Sequence, residues 1–165
     1  MADAAPTPDH AGMLDGFLAL SAALTGFGTF QLRGTGQAEA YLATATAILG
    51  TATMRALLTA ADEAQASAGG DTARHEAELR RLVMSDDRLG PVARNIIRMW
   101  YVGTWYQMPK AWREAYGSSA QDQDHVVSPI SYTEGLLWPA VGGNPAGAKP
   151  AGYGMWAMPP RISPG

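Results

Sequence analysis

The spacing of apolar residues divides the chain into a helical first part and an irregular second part. Met13, Leu14, Phe17, Leu18, Ser21 and Leu24 recur at intervals of three and four, which predicts a helix ending at Gly26. Residues 27–36 read as a short connection. Over residues 37–65, Tyr41, Leu42, Ala45, Ile48 and Leu49 form one apolar face and Met54, Leu57, Leu58 and Ala61 another. Gly50 between them predicts a break or a kink. Residues 67–70, Ser-Ala-Gly-Gly, read as a turn, and Asp71 as the cap of a charged helix that buries Leu79, Leu82 and Val83. Arg74 and Glu78, four apart, are expected to pair on its outer face. After a break at residues 85–90, Pro91 suits the first turn of a further helix running to about Tyr106. Ile96, Ile97, Met99, Trp100, Tyr101, Val102, Trp105 and Tyr106 cover most of its circumference. Such a helix is expected to be covered on all sides, by its own chain or by another subunit.

Beyond Pro109 the pattern is lost. Residues 109–165 hold most of the prolines and many of the glycines, which exclude long helices and central strands. One short helix, residues 132–138, is expected before Pro139. Disordered segments are poor in aromatics, yet this one carries Tyr132, Trp138, Tyr153 and Trp156. The expected organisation is an N-terminal arm (residues 1–11), a bundle of about four to five helices (12–108) and a strap laid on its own helices or on a partner (109–165). The fold class is mainly α. Leu14, Phe17, Leu18, Ile96, Trp100 and Tyr101 are expected in the core. Trp105, Tyr106, Trp138, Tyr153 and Trp156 are expected at a partner interface, where Trp and Tyr concentrate.

Composition sharpens this picture. Only 16% of the 165 residues are charged, against the usual quarter, so part of the surface is expected to be covered by something else. The net charge of -3 and the lack of a basic stripe argue against nucleic acid. The absence of cysteine removes disulfides, thiolate metal sites and cysteine nucleophiles from this chain. No stretch reaches the roughly 20 apolar residues of a membrane span.

The chemistry-bearing residues are sparse. His10, His75 and His125 stand far apart and read as surface histidines. Asp122, Asp124 and His125 could contact a cation, but lack the glycine and distal glutamate of a calcium loop. Gly34-Thr35-Gly36 is followed by Glu39 where a dinucleotide fingerprint needs glycine. Residues 142–149 miss the spacing of a phosphate loop by one position, and Pro145 and Pro150 remove backbone donors. Neither catalytic nor cofactor- or metal-binding residues are assigned. The α-helical aromatics could stack on a flat ligand, although that spacing more often serves a core or an interface.

Four segments together resemble a known family. The run from Leu14 to Thr25, with FLALSAALTG reading from Phe17 to Gly26, is similar to the first helix of the small subunits of membrane-bound, FAD-dependent sugar and alditol dehydrogenases. Ile96-Ile97-Arg98-Met99-Trp100-Tyr101-Val102-Gly103 resembles that family's I-x-x-W-Y-x-G helix. Ser131-Tyr132-Thr133-Glu134-Gly135-Leu136-Leu137-Trp138 resembles its following helix, and residues 152–160, GYGMWAMPP, its aromatic–proline end, nearest the sorbitol dehydrogenase branch. The likeness spans residues 13–160.

The resemblance implies a non-catalytic subunit that binds the large flavoprotein and assists its folding and export. FAD would sit in that partner and haem c in a cytochrome subunit that passes electrons to quinone. It also implies a periplasmic location on the cytoplasmic membrane, with no span in this chain. Many members carry a twin-arginine leader, which this sequence does not display. The opening residues 1–8, polar and rich in proline, read either as the start of a mature exported protein or as a plain flexible arm. Two other readings compete: a small periplasmic ligand-binding module using the aromatic helix, and an enzyme with a metal at Asp122, Asp124 and His125.

Overall fold

The structure, a computed structural model, describes residues 8–145. It is mainly helical, as its apolar spacing requires. Five principal helices build the core. Helix α1 (Pro8–Thr25) starts earlier than the expected arm boundary, because Pro8 fits a first turn where its missing N–H is not needed. It ends where Gly26 turns to φ +79°. The expected connection after it contains a short helix, α2 (Thr29–Gly34). Leu32 is the reason: it is fully buried and anchors the turn, while the Gln31 side chain accepts the Gly28 N–H at 3.0 Å. Helices α3 (Ala38–Leu49) and α4 (Thr51–Ala68) meet at Gly50 with a bend of 119°. Among the described residues no single helix is long and apolar enough to cross a membrane.

Helix α5 (Thr72–Leu79) is capped by Asp71, whose carboxylate accepts the Arg74 N–H at 2.7 Å. It runs on into a π-helical turn, Arg80–Met84. On its outer face Glu78 pairs with Arg81 and Glu76 with Arg80, rather than Glu78 with Arg74. Leu79 and Val83 are buried and Leu82 is half-buried. Asp86 then accepts the N–H groups of Arg88 and Leu89, opening α6 (Leu89–Val102).

Helix α6 stops four residues short of the expected end. Gly103 adopts φ +70°, a left-handed cap that only glycine takes cheaply. Thr104–Trp105 becomes strand β1, paired antiparallel to β2 (His125–Val126), with Trp105 opposite His125. Residues 110–145 are more ordered than their composition suggests. Helix α7 (Lys110–Tyr116) follows Pro109 directly, and Trp112 Nε1–H donates to the Arg88 carbonyl at 2.8 Å, pinning α7 to the start of α6. The short helix expected at residues 132–138 is displaced. Turns occupy most of that segment, and α8 (Leu137–Ala140) holds Pro139 in its first turn, where proline is tolerated.

The core centres on Trp100, which stacks on Phe17 with ring centroids 6.2 Å apart and meets Tyr41 edge-on at 4.9 Å. Phe17, Leu18, Ile96 and Trp100 are buried; Leu14 and Tyr101 are half-buried against the same cluster. Burying one large apolar side chain contributes on the order of 1.5–3 kcal/mol, so this contact is one substantial part of the core that joins α1, α3 and α6.

Candidate functional site

The last turn of a helix leaves carbonyls without intrahelical partners. At the end of α6 the Trp100 carbonyl and that of the Gly103 cap are taken by residues 127–136. Leu136 N–H donates to the Trp100 carbonyl at 2.9 Å. Val127 N–H and the Ser131 hydroxyl donate to the Gly103 carbonyl at 3.0 and 2.9 Å. Two glycines permit this close fit. A Cβ on Gly103 would lie 2.6 Å from the Ser131 carbonyl, and one on Gly135 would lie 2.7 Å from the Tyr101 carbonyl. The Ser128 hydroxyl also donates to the buried Gln37 side chain near the start of α3. Tyr101 ties the same region to α1, donating its hydroxyl to the Thr25 carbonyl at 3.0 Å.

This seating creates a groove of about 290 Å3 between α2 and residues 133–145. Phe27, Gln31 and Thr35 form one wall; Glu134, Leu136, Trp138, Pro139 and Pro145 contribute to the other. Trp138 is fixed by its ring N–H on the Tyr132 carbonyl at 2.8 Å and by an edge-on contact with the Tyr132 ring. Several large apolar side chains on the elements that form the groove are exposed. Phe30, next to Gln31 on α2, is 88% exposed and Val141 66%, while Tyr132 and Leu137 are also exposed. The Glu134 charge reaches inward as well. The hydroxyl of Tyr41 is buried without a hydrogen-bond partner. Burial, and then the nearby Glu134 carboxylate, hold its pKa above the usual tyrosine range.

The interface residues expected from sequence are divided by the fold. Trp105 is a correction: it is fully buried. With the helix ended at Gly103, β1 turns its indole inward, and Nε1–H donates to Asp122 at 3.0 Å. Tyr106 is half-buried, with its backbone N–H and carbonyl both engaged by the Asn95 side chain and Arg98 over its ring. Trp138 lines the groove. Tyr153 and Trp156 lie outside the described residues.

Asp122 is the polar residue that sequence reasoning did not find as a structural centre. It is 3% exposed and accepts the Trp105 indole N–H and the Met108 backbone N–H, with the Arg113 guanidinium at 4.0 Å. The available signal was the indole itself, since a buried Trp N–H needs an acceptor. Asp124 accepts the Gln107 N–H at 2.7 Å, and His125 Nδ1 lies 2.7 Å from the Gln123 carbonyl. Asp122, Asp124 and His125 therefore hold the loop together instead of converging. Among the described residues no group of three or more acidic or histidine side chains could share an ion. Asp124 and His125 line a second, more open hollow of about 560 Å3 against α3. Comparison with protein families, with curated proteins and with solved structures finds no match to this chain.

Proposed function

We propose that this chain is the non-catalytic small subunit of an FAD-dependent, cytochrome c-linked sugar or alditol dehydrogenase, binding and stabilising the flavoprotein in the periplasm and assisting its maturation or export. One observation carries this reading. Residues 96–103 and 131–138, the two central segments of the family resemblance, fit together through the Leu136–Trp100 hydrogen bond and the paired close approaches at Gly103 and Gly135. Exposed large apolar side chains lie in or beside the second segment, Tyr132, Leu137 and Val141, with Phe30 on α2. Exposed apolar side chains, on a chain with few charges, suit a protein partner. FAD would belong to that partner and haem c to the electron-transfer subunit.

The competing ligand-binding module needs the α6 rings to face a ligand. Trp100, the central ring, is closed in by Phe17 and Tyr41, which speaks for a core role of that ring. The test is co-expression of the tagged chain with a flavoprotein dehydrogenase of the same genome, encoded beside it. Co-purification in equal amounts, with flavin absorbance and dye-linked sugar or alditol oxidation in the complex, is the expected result. A chain that stays monomeric and leaves the flavoprotein's yield and activity unchanged refutes the assignment.

A further inference from the structure

Residues 88–113 hold five of the chain's 12 cations and no acid, although the chain as a whole carries a net charge of -3. Three of the five are engaged within the fold. Arg88 reaches the Thr53 hydroxyl and the Tyr116 ring, Lys110 pairs with Glu114, and Arg113 lies against Asp122. Arg94 and Arg98 are exposed, one turn apart on the outer face of α6. Neither forms an ion pair among the described residues. We propose that this face docks a carboxylate-bearing surface of a partner protein, which, resting on the reading above, is the flavoprotein.

Both guanidinium groups are held in place without spending their charge. Arg94 donates an Nη2–H to the Met84 carbonyl at 2.9 Å. Arg98 lies over the Tyr106 ring at 5.4 Å, and the Asn95 side chain fixes Tyr106 through its backbone N–H and carbonyl. A guanidinium carries about five N–H donors, so most stay free for a planar carboxylate, which its fork matches with two parallel bonds. Groups held before binding lose less conformational freedom on it. Val102, a turn further along the same face, is exposed, and Arg and Tyr are the residues that concentrate at binding hot spots. Other anionic partners call for more cations, about four or more for a lipid surface and roughly six to ten for a nucleic-acid backbone. The net negative charge of the chain opposes both, and opposes a second copy as well.

The full chain is co-expressed with the flavoprotein, and the affinity of the pair is measured at low and high salt. Arg98→Glu should weaken binding about fivefold at low salt, and Arg94→Glu with Arg98→Glu by tenfold or more, roughly. The gap should narrow in about 1 M salt, where exposed charges are screened. Arg74→Glu, an exposed cation on α5 without an ion pair, changes the net charge as Arg98→Glu does and should bind like the wild type. The chain has only two lysines, Lys110 and Lys149, so Arg98→Lys adds an amine that a carbodiimide should couple to a flavoprotein carboxylate. Where Arg94→Glu lowers the melting temperature by loosening the Met84 turn, Arg98→Glu is read alone. Undiminished affinity in Arg98→Glu, equal weakening in Arg74→Glu, or capture by Arg98→Lys without that cross-link overturns the proposal and leaves the flavoprotein assignment standing. So does wild-type capture by the double variant with lost binding to phosphatidylglycerol vesicles, which assigns the face to lipid. A wild-type chain that captures no flavoprotein removes both readings.

Discussion

Replacing Asp122 with alanine removes the acceptor of two buried donors, the Trp105 indole N–H and the Met108 backbone N–H. A buried donor left without a partner costs about 1–3 kcal/mol, so the pair together costs about 2–5 kcal/mol after partial relaxation. The Arg113 contact adds little, because at 4.0 Å and with Arg113 partly exposed it is a weak ion pair. In a chain of this length each kcal/mol lowers Tm by about 2–4 °C, so a loss near 3 kcal/mol moves Tm by roughly 6–12 °C. Asp122→Asn keeps one acceptor oxygen and loses the charge, and should cost about half as much. Trp105→Phe drops the donor and also removes the five-membered ring from a fully buried site, so a cavity cost adds to the roughly 1 kcal/mol of the lost hydrogen bond. Thermal melts followed by circular dichroism and by calorimetry separate these variants. The reasoning is refuted if Asp122→Ala melts with the wild type, or if Trp105→Phe leaves Tm unchanged and abolishes flavoprotein binding. The second result would return Trp105 to an interface role.

Gly103→Ala should destabilise the chain by more than about 2 kcal/mol, since the left-handed backbone alone costs about 1–2 kcal/mol and the new Cβ would strike Ser131; hydrogen exchange should quicken at the Val127 and Leu136 amides. Tyr41→Phe should leave stability at neutral pH unchanged or slightly higher, because the hydroxyl is buried without a partner. In the wild type the raised Tyr41 pKa means that the unfolded state loses its proton first, so stability present below about pH 10 declines as pH rises beyond it. Denaturant melts between neutral and strongly alkaline pH should show a smaller decline in Tyr41→Phe. Phe30→Ser should not change Tm, as the ring is exposed, but should weaken flavoprotein capture; an anchor worth about 2 kcal/mol corresponds to roughly thirtyfold in affinity. Undiminished capture removes Phe30 from the interface.

What the sequence alone determined is local. Gly26, Gly50 and Asp71 set helix ends through backbone freedom and capping within a few residues, and the spacing of Phe17, Leu18, Tyr41, Leu57 and Ile96 marked buried faces before any partner was known. Helix-breaking residues were legible only in part. Gly103 ended α6 where the aromatic run suggested continuation, because the run continues on a strand whose Trp105 meets an acid 17 positions away. The short helices α2 and α7 escaped notice because they are too brief to show a period, and each is held by one distant anchor, the buried Leu32 or the Trp112 indole on Arg88. The groove was the least legible feature. Its walls come from α2 and from residues about a hundred positions later, and bonds such as Ser128 to Gln37 exist only once α1, α3 and α6 have packed. Tertiary structure decided these because a buried donor can be satisfied by any acceptor that the packing brings near, and no local pattern records which one that will be.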